Sequence, residues 1–179
     1  IALVLTVGAV PVGLLAADNA TMPGMRMPMA TGPDVKIADP TSVVLIVNRD
    51  SNDISFMDIK SKKMIGSTFL GNNVNPHMAM MSPDGRYVVT GGTRANKAYV
   101  IETATLKLVK VIDTDMAPEH LSFSPDSRWY YQGNPDGDSV SVIDMQSLTK
   151  VKTISGLAEP LNVTFLPDDK RQAIVDSWP

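Results

Sequence analysis

The chain contains two histidines, His77 and His120. They stand in nearly equivalent places: His77 directly follows Pro76, and His120 follows Pro118 with Glu119 between them. Imidazole is the commonest protein metal ligand and titrates near neutrality, so two at repeated positions suggest a shared metal. The offset from the proline differs by one residue, so the rings need not point the same way. A pair of loop- or channel-lining histidines without a ligand is the alternative. A second candidate set is Met22, Met25, Met27 and Met29, four thioethers within eight residues. Thioethers are soft ligands that suit Cu(I); the alternative is a tail whose methionines do nothing specific. Glu119, Arg94 and Lys97 are polar candidates for the same neighbourhood, each read more simply as a solvated group.

The elements that must position these residues belong to a repeat. Residues 76–86 read P-H-M-A-M-M-S-P-D-G-R, residues 118–128 read P-E-H-L-S-F-S-P-D-S-R, and residues 160–170 read P-L-N-V-T-F-L-P-D-D-K. Both steps are 42 residues. A period of this length, with short strands and turn residues at fixed offsets, signals a β-propeller array. The aspartates in it, Asp84, Asp126 and Asp168, look catalytic in isolation. Their recurrence beside Pro83, Pro125 and Pro167 makes them structural: proline presets φ, Gly85 supplies a position open to positive φ, and the carboxylate bonds local backbone N–H groups.

Between these turns the pattern is β. Val43 to Asn48 is a short, β-branched run bounded by turn residues, followed by runs at 54–59 and 63–70. No convincing innermost strand precedes Val43. The next unit is complete, with strands expected at 77–82, 86–90, 98–102 and 107–113 and a turn containing Gly91 and Gly92. The third repeats it at 119–124, 128–132, 139–144 and 149–154, with G-N-P-D-G-D at 133–138 as a turn. A fourth has runs at 161–166 and 172–176 only. Met78 and Met80 fall on one strand face and Met81 on the other, and all three read as core filling between neighbouring blades.

Composition narrows the function. Net charge is −3 and the pI is near 5.3, with no basic stripe of the kind nucleic-acid binders carry. There is no cysteine, hence no disulfide framework, thiolate metal site or Cys nucleophile. G-x-S-x-G, H-E-x-x-H, P-loop and dinucleotide fingerprints are absent. Residues 1–17 are apolar and uncharged, short for a membrane span, and read as a front-truncated signal peptide. Residues 18–41 form a Pro/Gly/Met-rich linker. The remainder, 42–179, is expected to be a partial propeller with blades at 42–70, 76–113, 118–154 and 160–179, the last incomplete. Contact with a membrane is expected only through the signal segment, and the compartment is expected to be periplasmic or extracellular.

The phrases S-P-D-G-R-Y-V-V-T at 82–90, A-Y-V-I-E-T-A-T-L-K-L-V-K-V-I at 98–112 and S-V-S-V-I-D-M-Q-S-L-T-K-V-K-T-I at 139–154 resemble the YVTN repeat. That resemblance implies an all-β, seven-bladed propeller of four-stranded antiparallel blades, with about three blades present here as a fragment. The wider group resembles the cytochrome d1 propeller and the copper propellers of nitrous oxide reductase and thiocyanate dehydrogenase. Two functions follow as expectations, the first favoured by the regular repeat and the lack of a catalytic motif, the second its alternative. One is an exported, non-catalytic propeller that binds a protein or small ligand at its rim. The other is the N-terminal part of a periplasmic oxidoreductase using copper or haem d1.

Overall fold

The computed structural model describes residues 37, 39–166 and 172–176. The expected signal segment, the candidate thioethers Met22, Met25, Met27 and Met29, and the turn residues Pro167 and Asp168 lie outside the described residues. A short 3-10 turn at Pro40–Ser42, capped by Asp39, leads into β1 (Val43–Asn48), β2 (Asp53–Asp58) and β3 (Lys63–Phe69). These three form one antiparallel sheet in the order β1-β2-β3. The second sheet holds β4 (Pro76–Met81), β5 (Tyr87–Gly92), β6 (Lys97–Glu102) and β7 (Lys107–Asp113), paired in chain order. The third holds β8 (Leu121–Phe123), β9 (Trp129–Asn134), β10 (Ser139–Asp144) and β11 (Thr149–Ser155), again in chain order. β12 (Pro160–Phe165) and β13 (Gln172–Asp176) begin a fourth. This is a β-propeller arrangement of successive meander blades, as the repeat predicts. Among the described residues no helix is long and apolar enough to cross a membrane.

The apolar runs are continuous because the middle blade is buried on both faces, so alternation of apolar and polar residues is not required. Val88, Tyr99 and Ile101 pack with Ile54, Phe56, Leu70 and Val74 against the first blade. Their strand neighbours Val89, Ala98 and Val100 pack with Leu121, Phe123, Tyr130 and Ile143 of the third. The outer strands bury less: Val109, Val111 and Val151 are exposed. The first strands of consecutive sheets touch, β4 with β8 and β8 with β12, and so gather along one line inside the array.

Three local expectations change. Gly91, Gly92, Gly133 and Asn134 belong to strands β5 and β9, not to turns. Gly91 and Gly133 let the next segment of chain approach, Gly92 makes room for Val74 and Tyr99, and the Asn134 amide donates to the Ser139 carbonyl and to the Ser139 and Ser141 hydroxyls, which carries pairing to the strand end. β8 contracts to three residues, although Glu119 and His120 keep backbone bonds to Gly133 (3.1 and 2.8 Å). Met78 and Met80 are each 37% exposed and do not fill a core among the described residues, whereas Ala79 and Met81 pack against the first interblade cluster.

Candidate metal site at the inner rim

His77 lies at the start of β4, and His120 with Glu119 lies immediately before β8, so each blade delivers its donors where the chain enters its innermost strand. The register of β4 against β5 breaks between Pro76 and Ala79. Such a bulge re-aims side chains, here those of His77 and Met78. The two blades are brought together by Gly91 of β5. A β-carbon there would stand 2.6 Å from the Pro118 carbonyl oxygen, a contact that only glycine permits.

The result is a compact donor set. The His77 and His120 rings lie 5.6 Å apart, centroid to centroid, at an interplanar angle of 37°. One ligand atom from each of His77, Glu119 and His120 lies within 4.8 Å of the others, and all three residues are half-buried. Nδ1 of His77 is buried without a hydrogen-bond partner among the described residues, an arrangement that costs free energy unless something occupies it. The one-residue offset between the two histidines is therefore no obstacle. It makes Glu119 the third member of the set, a residue that sequence alone reads as solvated.

The backbone of the His120 strand is held from within the core. The Gln132 amide donates to the His120 carbonyl (2.8 Å) and to that of Gly133 (3.1 Å), and its oxygen accepts from the Tyr130 hydroxyl at 2.6 Å. Gln132 and Tyr130 are fully buried. Burial raises the Tyr130 phenol well above its usual pKa, so it remains a protonated donor to Gln132. No sequence signal marks this pair, because a Gln in an apolar strand announces only that it must find partners.

The other sequence candidates lie elsewhere. Asp84 and Asp126 sit in the turns at the far ends of β4 and β8. The Asp84 carboxylate accepts from the Ser82 hydroxyl and the Arg86 N–H, and Asp126 accepts from Ser124 and the Arg128 N–H in the same pattern. Gly85 has φ +72° and its counterpart Ser127 +60°. Pro83 and Pro125 open these two turns. Lys97 pairs with Asp113 on the outer side of the blade, and that hydrogen bond raises the lysine pKa and lowers the aspartate's. Arg94 is exposed.

No family model matches the chain, and no curated protein does. Solved structures do. Hydrazine synthase of Kuenenia stuttgartiensis superposes with a TM-score of 0.71 at 22% identity, over 75% of this chain and 39% of that one. Dihydro-heme d1 dehydrogenase NirN, solved in complex with DHE, gives 0.65 at 22% identity, over 76% and 30%. A functionally unknown protein from Desulfotomaculum acetoxidans DSM 771 gives 0.62 at 12% identity, over 74% and 48%. The chain thus spans between about a third and a half of the length of these structures. At such identities the similarity shows the shared propeller fold alone.

Proposed function

We propose that this chain is part of a metal-binding β-propeller that holds a first-row transition ion between adjacent blades, with His77, His120 and Glu119 as protein ligands. The observation that carries this reading is the convergence of these three donors to within 4.8 Å. Ligands about 2.0–2.1 Å from one ion lie within about 4 Å of each other, so small side-chain rotations close the set around a metal. The orphaned Nδ1 of His77 fits the same purpose. Two imidazoles and a carboxylate suit Zn, Cu or Fe, with Cu(II) bound most tightly among common divalent ions. Haem d1 would fit less well: a haem held by one of these histidines would leave the second imidazole and the carboxylate without a role.

A bound copper ion would supply electron transfer or Lewis acidity. His77, His120 and Glu119 would hold the ion, and three protein donors would leave room for a further ligand from solvent or from other blades. This favours the oxidoreductase expectation with copper over the non-catalytic one. The binding or scaffold reading is second, supported by the exposed Val109, Val111 and Val151 on the outer strands, which offer apolar area to a protein partner. The apolar residues 1–17 support a periplasmic or extracellular location.

The test is to measure copper, zinc and iron per chain in the intact protein and in His77→Ala and His120→Ala. Near-stoichiometric metal that is lost in both variants supports the proposal. A parent protein that stays metal-free after exposure to each ion overturns it and leaves the binding propeller.

A further inference from the structure

The residues that lead into the ligand-bearing strands have a shared backbone anomaly. Asn75, Ala117 and Glu159 each precede a repeat proline, and each has a left-handed backbone, with φ of +53°, +52° and +48°. A residue before proline is pushed toward extended backbone, and the left-handed region is costly for residues other than glycine, least so for Asn and Asp. Such a conformation persists only where its surroundings enforce it.

The enforcement comes from the preceding blade. Asn52, Asn96 and Asp138 occupy the turns between the second and third strands expected of each blade, themselves at φ of +59°, +55° and +46°. The Asn52 side-chain oxygen accepts the N–H groups of Val74 and Asn75, both at 2.8 Å. The Asn96 oxygen accepts from Ala117 (3.0 Å), and the Asp138 carboxylate from Glu159 (3.2 Å). The backbone carbonyls of the same three residues accept from Leu70, Thr114 and Leu157, so each one ties the end of an outer strand to the start of the next blade. Asn75 is held further: its carbonyl accepts from the Thr93 N–H and hydroxyl, and its side-chain oxygen from Arg49 and Thr93.

We infer that Asn52 and Asn96 are positioning residues for the metal site, and this inference rests on the metal-binding reading above. Asn52 acts through Asn75 and Pro76 on His77, and Asn96 acts through Ala117 and Pro118 on Glu119 and His120. With proline fixing its own φ, the direction in which each donor leaves the chain is set by the left-handed residue just before. The third tie leads to Pro160 and Leu161, which carry no donor. The device therefore belongs to the repeat, and the site exploits it where a repeat places histidine after the proline.

The informative variants are Asn52→Gly and Asn96→Gly. Glycine accepts the positive φ without strain and removes the side-chain acceptor, at Asn52 together with the exposed amide donation to the Asp50 carbonyl (3.1 Å). Asn52→Asp retains the acceptor and serves as rescue. Asp84→Ala, at the opposite end of β4, controls for general destabilisation. Cu(II) affinity is measured by calorimetric titration of the intact protein beside the melting temperature of each variant. Outer-shell groups that orient a ligand are typically worth roughly 10–100-fold in metal affinity. Asn52→Gly and Asn96→Gly should each weaken Cu(II) binding by about tenfold or more, while Asn52→Asp and Asp84→Ala stay near the parent. Equal Cu(II) affinity in the parent and both glycine variants overturns the inference and leaves the metal site standing, as does a loss no greater than that of Asp84→Ala at matched stability. A parent that binds no Cu(II) overturns the metal reading instead. Positioning is then read by the nuclear Overhauser contact between the His77 and His120 rings, which the glycine variants should abolish and whose persistence in them refutes it.

Discussion

A β-carbon on Gly133 would stand 2.7 Å from the Pro160 carbonyl oxygen, just as one on Gly91 would stand 2.6 Å from that of Pro118. The two pairs are one repeat apart and do the same work. Each glycine is the last residue but one of the second strand of a complete blade and lets the proline that opens the next blade lie directly on it. Without this approach the innermost strands would stand farther apart, and His77 could not share a site with His120. Gly91→Ala and Gly133→Ala should each destabilise the protein, at about 1–3 kcal/mol for overpacking against rigid backbone. Chemical denaturation checks this, and an unchanged midpoint in both variants would show that the blades can separate at little cost.

The repeat was legible because the residues that define it act locally. Pro83, Asp84 and Gly85 form their turn with partners at most two residues away for the carboxylate, and sequence offset alone locates them. The strands were legible from apolar runs, except at their ends. Gly91 and Gly133 read as turn residues since nothing in the sequence shows that a proline from the next blade will rest on them. Glu119 was legible only as a polar neighbour read as solvated, because His77, which completes its site, comes from a chain segment 42 residues away. The ties from Asn52 and Asn96 span 23 and 21 residues and carry no motif beyond an Asx in a turn. Local chemistry shows in a single sequence; contacts between blades emerge only when the array is assembled.

The turn around Asp126 predicts a specific acid response. Hydrogen bonds from the Ser124 hydroxyl and the Arg128 N–H hold the Asp126 carboxyl below its ordinary value of 3.8. A carboxylate whose folded pKa is depressed contributes stability that is complete above the unfolded value and is lost as pH falls through the folded one. Asp126→Asn should therefore lower the melting temperature modestly at pH 6, with the difference shrinking progressively as pH falls below 3.8 and through the lowered folded value. A gap between parent and variant that stays constant from pH 6 to pH 2.5 would contradict this. The related Asp84→Ala change should cost about 1 kcal/mol, the usual worth of a local hydrogen bond, with metal binding intact.

Tyr130 and Gln132 form a buried polar pair in an otherwise apolar interblade core, and the Gln132 amide passes it on to the carbonyls of His120 and Gly133. Tyr130→Phe keeps the ring packed edge-on against Phe123 but leaves the Gln132 oxygen without its donor. An unsatisfied buried acceptor costs about 1–3 kcal/mol, so the melting midpoint should fall by that much. Amide hydrogen exchange at Gly133, whose N–H donates to the His120 carbonyl, should accelerate with it. If exchange at Gly133 matches the parent, the pair is a packing solution with no hold on His120.

Glu119 separates a three-donor site from a two-histidine one. Glu119→Gln preserves size and backbone, removes the negative charge, and replaces one carboxylate oxygen by an amide nitrogen that does not coordinate. If the carboxylate is a ligand, Cu(II) affinity should fall about tenfold or more, equivalent to at least ~1.4 kcal/mol, and the electron paramagnetic resonance spectrum of the bound Cu(II) should change with the loss of an oxygen donor. Removal of a merely nearby charge would weaken binding less, in a manner that salt suppresses, and would leave the spectrum unaltered. The measurement is titration of parent and variant at low and high ionic strength together with the two spectra. A salt-sensitive loss with superimposable spectra would show that the metal is held by His77 and His120 alone, with its remaining positions filled from outside these two blades.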